Sequence, residues 1–405
     1  MAKRATLTAI DVGTTKVCTI IAEASDSGNV RVLSVGTVPS KGLHKALVVD
    51  IEDAKESIRH SVRKAEYACG YKVESAYIGV TGRHITSQNN RGVVAITRND
   101  RLVRPEDLKR VLESAKTVQL PSEQRLLHII PRTYAVDGQV GVKNPIGMHG
   151  FRLDVETHVI TAATTSVQNL VKCVRGIGIE IDDLVLEPLA SSEAVLTEDE
   201  KQAGVILADI GGGTTDIAIF REGSIWHSAA LPVAGYQFTR DIALGLGLPF
   251  EVAEQMKRRY GSVMQVYESK MENPAEISAD GHGISYQDLC DILRARIEEL
   301  LRLILLEMPQ SEYKSLVPAG LVLTGGSSNL SGIEVLGREM LRLPVRIGKP
   351  TGITGIADTL CDPAYATSVG LLLWGAKHGS TPNWKSNGFG SGLRHLVSQL
   401  ASLFR

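Results

Sequence analysis

Apolar and polar positions in the opening segment fall with strand spacing and are cut by turn residues. Ala5–Ile10 is apolar and β-branched, Asp11-Val-Gly-Thr-Thr15 interrupts it as a turn, and Lys16–Ala24 returns. Asp26-Ser-Gly-Asn29 makes a second turn before Val30–Val38. Ala54, Ile58, Val62 and Ala65 then recur at helical spacing and predict a helix over Glu52–Cys69. The same plan returns later in the chain. Ala203–Ile210 reads as a strand, Gly211-Gly-Gly-Thr-Thr215 as a turn, Asp216–Phe220 and Ser224–Leu231 as strands joined at Glu222-Gly. An internal repeat on this scale predicts two similar α/β lobes facing one another.

Two segments break the repeat. About His84–His158 carries strand-like stretches at Val93–Thr97, Leu126–Ile130 and Tyr134–Val136, and one helix with Pro105 in its first turn and Glu106 and Asp107 against the positive end of its dipole. Gly261–Val317 holds a polar strand-and-loop part followed by a long helix over Tyr286–Met308. Beyond Leu371–Lys377 the composition changes: His378–Gly392 is rich in Gly, Ser and Asn and reads as a flexible tether. Helical periodicity resumes over Leu393–Arg405.

Composition narrows the function classes. With 405 residues, 43% hydrophobic and 22% charged, the chain reads as an ordinary globular protein, and its net charge of -1 gives nucleic acid no general attraction. Cys18, Cys69, Cys173, Cys290 and Cys361 are scattered without metal spacing, which suits a reducing compartment. The greasiest stretch, Leu300–Met308, is interrupted by Arg302 and Glu307, so no bilayer span is expected, and the start of the chain has no apolar signal core.

The candidate chemistry lies in the two repeated turns. A polyphosphate with its metal needs backbone N–H donors, residues small enough for close approach, and a carboxylate near the metal shell. Asp11-Val-Gly-Thr-Thr-Lys16 and Asp209-Ile-Gly-Gly-Gly-Thr-Thr215 both supply that set, with Lys16 adding positive charge. Either turn alone could be a plain hairpin; the repetition argues for phosphate binding by Gly13, Thr14, Thr15 and Lys16 facing Gly211, Gly212, Gly213, Thr214 and Thr215. Asp11 and Asp209 are the candidates to hold Mg²⁺ through water. No Walker A sequence occurs, which disfavours a P-loop enzyme. A third glycine element, Leu323-Thr-Gly-Gly-Ser-Ser-Asn-Leu-Ser-Gly-Ile333, joins an apolar strand to a helix.

The order of these three elements resembles the actin/Hsp70/sugar-kinase superfamily, which holds ATP between two lobes. The resemblance implies that the two Asp turns clamp the phosphates, and that Gly325, Gly326 and Ser327 lie beside the adenosine. It also implies that Glu254 and Lys257 reach the ribose and base, and that Leu186–Ser192 and Asp362–Gly370 are the connecting helices. Glu187, following a strand into such a helix, is the candidate to orient a water; the alternative is a carboxylate at a helix start beside Pro188.

Within that superfamily, Leu127-His-Ile-Ile-Pro131, Asn144-Pro-Ile-Gly-Met148, Leu196-Thr-Glu-Asp-Glu-Lys201, Glu254-Gln-Met-Lys257 and Leu323-Thr-Gly-Gly326 resemble the FtsA family of bacterial cell-division proteins over nearly the whole chain. This implies a two-lobed actin-like α/β fold with duplicated ribonuclease-H-like subdomains. Subdomain 1A is expected at 1–83 and 163–200, an inserted 1C at 84–162, 2A at 201–240 and 318–377, and 2B at 241–317, with a linker at 378–392. It further implies ATP binding with at most slow hydrolysis, self-association, recruitment of later division proteins through 1C, and contact with the FtsZ C-terminal tail by Arg294, Arg296 and Glu299. Placement on the cytoplasmic face of the cell membrane follows from the same likeness. A PilM-like pilus-assembly adaptor and a small-molecule kinase are the alternatives.

The end of the chain supports the membrane reading from its own residues. Leu393, Leu396, Val397, Leu400, Leu403 and Phe404 share one helical face, with Arg394 and Arg405 elsewhere. At about 1.5 Å per residue this segment is too short to cross a bilayer and would lie in the headgroup plane. Docking on the protein's own core is the alternative.

Overall fold

The structure is a computed structural model and describes residues 5–25, 28–116, 120–264, 276–279, 282–308, 316–356 and 358–379. Of the tether expected over 378–392, His378 closes the helix Ala366–His378 and Gly379 follows it; the rest of the tether and the terminal helix lie outside the described residues.

The repeat in the sequence becomes two sheets of matching topology. In the first, Val30–Pro39, Lys16–Ala24 and Ala5–Val12 run antiparallel, and Ser75–Val80 and Glu180–Leu186 extend the sheet in parallel from Ala5–Val12. In the second, Ser224–Leu231, Thr215–Arg221 and Val205–Ile210 are antiparallel, and Leu321–Thr324 and Val345–Ile347 extend it in parallel. The first sheet gains one more strand, Ile353–Gly355, at the edge of Val30–Pro39. Val205–Ile210 is buried along its whole length and Ala5–Val12 from Thr8 onward, as expected of strands covered on both faces.

Two helices cross between the lobes, Glu187–Val195 and Ala366–His378. Leu189, Ala190, Val369, Leu371, Leu372 and Trp374 make their contact apolar and buried. The crossing is at backbone distance: a Cβ on Gly370 would stand 1.9 Å from the Ala190 carbonyl oxygen. The short stretch before the second helix, Pro363–Tyr365, is a 3₁₀ turn capped by Asp362, whose side chain accepts from the Ala364 N–H. The expected helix over Asp362–Gly370 therefore begins later, at Ala366, because Pro363 starts a tighter turn.

The insert forms a sheet of its own, Ile85–Ala95, Arg152–Ala163, Gln124–Val136 and Gln139–Val142, with the helix Pro105–Ala115 packed on it. Two strand expectations change here. Leu126–Ile130 and Tyr134–Val136 are one strand running through Pro131. The register against Arg152–Ala163 slips between Glu156 and Thr157, passing over Arg132, and this bulge accommodates the proline's missing donor. The strand expected at Val93–Thr97 occupies Ile85–Ala95 instead; it is an edge strand whose residues Thr86 to Arg91 are polar and half-exposed, so its apolar signal was weak. The long helix in the second lobe ends at Leu306, and its buried face is Leu289, Leu293, Ile297, Leu300, Leu301 and Ile304.

If the helix crossing sets the relation of the lobes, Gly370→Ala forces it apart. A loss of about 2–3 kcal/mol in chemical denaturation is expected, at the upper end of overpacking costs. An unchanged denaturation midpoint would show that the crossing relaxes freely.

Candidate functional site

The two repeated turns meet across the cleft between the lobes. Each is closed by one backbone bond, Gly13 N–H to the Lys16 carbonyl (3.0 Å) and Gly211 N–H to the Thr214 carbonyl (2.9 Å). They touch directly: a Cβ on Gly212 would lie 2.3 Å from Thr15 Cγ2, and one on Gly213 2.6 Å from Thr14 Oγ1. Among the described residues the N–H groups of Thr14, Thr15, Gly212 and Gly213 have no backbone acceptor, so they remain free to donate to an anion. Lys16 donates from Nζ to the Ala364 carbonyl and sits 4.8 Å from the Tyr365 ring centre.

Both aspartates are held by the crossing helices. Ser368 donates to Asp11 Oδ2 (2.7 Å), and Ser191 (2.5 Å) and Thr367 (3.0 Å) both donate to Asp209 Oδ2. Burial pushes the Asp209 carboxyl above its usual range, against those two hydroxyl bonds. Gly325 is at φ +83°, and a Cβ there would stand 2.4 Å from Asp209 Oδ1, so this position requires both a left-handed backbone and no side chain. Ser327 Oγ donates to the Gly211 carbonyl (2.8 Å), and Gly326 follows Gly325 in the short 3₁₀ segment Gly326–Asn329.

Glu187 opens its helix beside Pro188, where the alternative reading put it, and its carboxyl is desolvated there. It faces a small pocket lined by Val12, Gly79, Thr81 and His84, among others. Its carboxyl is raised well above the ordinary value by burial first, then by the charges of Asp11, Asp216 and Asp209, with Lys16 opposing. Asp216, which the sequence placed only at the start of a strand, belongs with this group. It is buried and accepts from Thr81 Oγ1 and from Thr214 Oγ1 (3.0 Å). Burial pushes it up to about 7 despite those bonds. The signal that could have found it was its place one residue past the repeated Thr-Thr, with a carboxylate where Lys16 stands in the first turn.

Four carboxylates therefore share a buried cleft, where Lys16 opposes their effect on Glu187. Among the described residues no three His, Cys, Asp or Glu side chains converge closely enough to hold a metal alone. The surplus of negative charge nonetheless fits a Mg²⁺ carried in with phosphates and bound through water by Asp11 and Asp209.

Glu254 and Lys257 lie on the helix Phe250–Tyr260 and pair at 2.6 Å. Lys257 also donates to the Gly235 carbonyl (3.1 Å) and to Thr239 (2.8 Å), at the start of the helix Gly235–Leu246. That helix start donates to the second turn: Gly235 N–H to the Gly211 carbonyl (3.1 Å) and Tyr236 N–H to the Gly212 carbonyl (2.7 Å). Arg294, Arg296 and Glu299 sit apart from the cleft and are engaged within their own lobe. Arg296 pairs with Asp241 and Glu299, and Arg294 pairs with Glu298 and donates to the Val263 carbonyl (3.1 Å). Leu393, Arg394, Leu396, Val397, Leu400, Leu403, Phe404 and Arg405 lie outside the described residues.

The family profile described as "Cell division protein FtsA" matches residues 206–370, and that described as "SHS2 domain inserted in FTSA" matches residues 82–161. The Cell division protein FtsA of Pseudomonas aeruginosa is 44% identical over 369 residues, 90% of this chain and 88% of the relative. That of Escherichia coli K12 is 37% identical over 376 residues, covering 90% and 89%. That of Bacillus subtilis 168 is 36% identical over 374 residues, covering 91% and 83%. Among solved structures, a PilM-PilN type IV pilus biogenesis complex aligns with TM-score 0.64 at 17% identity, over 91% of this chain and 98% of that one. MreB5 of Spiroplasma citri bound to ADP aligns with TM-score 0.54 at 16% identity, over 91% and 95%. These two likenesses carry the actin-like fold and nothing finer.

The Asp216 environment has a consequence for stability. Between a carboxyl's ordinary value and about 7, the folded chain keeps a proton that the unfolded chain releases, so Asp216 withdraws stability as pH rises through that window. Asp216→Asn removes the dependence. Its melting temperature relative to the parent is expected to rise from about pH 5 to about pH 7 and then level off. A difference that stays constant with pH would show that Asp216 is ionised throughout.

Proposed function

Because the chain belongs to the FtsA family of cell-division proteins, we propose that it is an ATP-binding, actin-like division protein that self-assembles and ties the FtsZ ring to the cytoplasmic face of the membrane. The observation that carries the nucleotide part is the pair of turns in contact across the cleft, with Asp11 and Asp209 each fastened to a crossing helix. ATP occupies that cleft, with Thr14, Thr15, Gly212 and Gly213 donating to phosphate and Lys16 adding its charge. Gly325, Gly326 and Ser327 flank the adenosine, and Glu254 and Lys257 border it from the second lobe. Mg²⁺ supplies the positive charge that this group of carboxylates lacks. Glu187 holds a water near the terminal phosphate, and hydrolysis is at most slow.

The wider role rests on family and on sequence. The subdomain boundaries read from the sequence stand as part of this reading, with 84–162 as the insert that meets later division proteins. Arg294, Arg296 and Glu299 receive the FtsZ C-terminal tail by exchanging the partners they hold within the lobe. The amphipathic end, 393–405, lies on the lipid surface, its apolar face contributing on the order of 9 kcal/mol before ordering costs. Many weak anchors aligned in a filament hold by avidity. The pilus-assembly and small-molecule kinase readings have no observation that favours them, since the likeness to PilM is one of fold.

Two measurements test this. In titrations with a labelled ATP analogue and Mg²⁺, Asp209→Ala and Gly212→Val should each weaken binding by about tenfold or more, roughly 1.4 kcal/mol. Unchanged affinity in both variants would remove the site assignment. In liposome sedimentation, the full chain should pellet with anionic vesicles, cooperatively and more strongly with ATP, whereas a chain ending at His378 should stay in solution. Equal pelleting of the two would move the anchor away from the terminal helix.

A further inference from the structure

The segment between Val30–Pro39 and the helix Ile51–Cys69 folds into a small hairpin that no motif identified. Leu43 pairs with Val48 and His44 with Leu47, leaving Lys45 and Ala46 as a two-residue turn. Both have positive φ, 46° and 62°. A tight hairpin turn of this kind ordinarily takes Gly or Asn, and each L-residue with a side chain pays roughly 1–2 kcal/mol to adopt it. Such a conformation persists where the surroundings enforce it.

The surroundings here are the two phosphate turns. Ala46 N–H donates to Thr14 Oγ1 (3.1 Å) in the first turn. Lys45 Cα lies 3.0 Å from where a Cβ on Gly213 would stand, so the hairpin backbone rests on the second turn. His44 meets Tyr236 edge-on at 5.8 Å, and Tyr236 stacks against Phe250 at 5.1 Å. The tip therefore spans from one lobe to the other at the point where the terminal phosphates of a bound nucleotide would lie. Lys45 is half-buried, and its ammonium has no ion pair or hydrogen bond among the described residues. Lys16, by contrast, is committed to the Ala364 carbonyl and the Tyr365 ring.

We propose that Lys45, carried on this strained hairpin, is a second phosphate-binding cation that recognises the terminal phosphate of a nucleoside triphosphate and so lets the cleft distinguish it from a diphosphate. This rests on the nucleotide reading of the cleft. The physical reason is placement: a flexible four-carbon stem rooted against Gly213 brings a point charge within reach of oxygens held by both turns. A group that meets only the terminal phosphate adds affinity to the triphosphate alone, which makes it a sensor of the nucleotide's state rather than a general anchor.

The test compares the full chain with Lys45→Gln and Lys45→Arg, titrating a non-hydrolysable ATP analogue and ADP, both with Mg²⁺. Gln keeps the length of the stem and removes the charge. For Lys45→Gln, triphosphate affinity should fall about tenfold more than diphosphate affinity, and Lys45→Arg should retain most of the preference. Melting temperatures of the variants check that the hairpin still folds. Equal loss of both affinities, no loss of either, or tighter binding of both by Lys45→Gln overturns the proposal while leaving the cleft as a nucleotide site. A full chain that binds neither nucleotide overturns the site reading and this proposal together.

Discussion

The contact on which the rest depends is the crossing of Glu187–Val195 with Ala366–His378. Gly370 permits the second helix to approach the Ala190 carbonyl at backbone distance. From that approach Ser191 and Thr367 reach Asp209, and Ser368 reaches Asp11, each near the end of its central strand. Ser191 and Thr367 also bond one another at 3.0 Å. The lobes' relative position and the position of the two key carboxylates are therefore set by one packing interface. A wider crossing would release both aspartates at once, since interiors this close-packed have no slack to absorb it.

The same interface creates an electrostatic problem that only a ligand resolves fully. Asp11, Asp209, Asp216 and Glu187 are brought into one space, where burial and neighbouring negative charge raise the carboxyls of Asp209, Asp216 and Glu187. Hydroxyl donors from Ser191, Thr367, Ser368, Thr81 and Thr214 offset part of this cost. Lys16 adds a single opposing charge, and the Glu187 carboxyl remains raised well above its ordinary range. An arrangement so rich in acceptors and so short of cations suits the divalent ion and phosphates proposed for the cleft.

How much of this was legible in the sequence follows from whether the information was local. The strand–turn–strand repeat was local, and the two sheets and their glycine turns fall where the alternation and the Asp-Gly-Thr clusters placed them. Lys16 and Asp209 could be read from such clusters because each turn carries its own donors. Asp216 had a local signal in its place after the second Thr-Thr, but Thr81 had none, since its pairing with Asp216 joins positions far apart in the chain. The insert's edge strand was hidden by polar residues, and its long strand by Pro131, whose bulge depends on the partner strand. The hairpin at Lys45 and Ala46 was hidden for a different reason: its turn residues are the wrong ones for the turn, and only the contact with Thr14 and Gly213 explains them.

The insert is tied to the cleft from two sides. Thr81, just before its first strand, donates to Asp216. On its far face, His158 bonds Asn89 (2.7 Å) within the insert and Ser228 (3.0 Å) in the second lobe, while Ser87 donates to the Ser228 carbonyl (2.8 Å). Arg132 stacks on Trp226 at 4.0 Å nearby. Burial lowers His158 to about 3, so it stays neutral and bridges these partners as one donor and one acceptor. Ser228 lies on the strand that pairs with Asp216's own strand, where Asp216 faces Ala230. Asp216, beside the second glycine turn, and the seat of the insert thus share two neighbouring strands. A displacement of that turn large enough to move Asp216 must either carry the insert with it or break a buried hydrogen bond, and an unsatisfied buried donor is costly enough that the first is favoured.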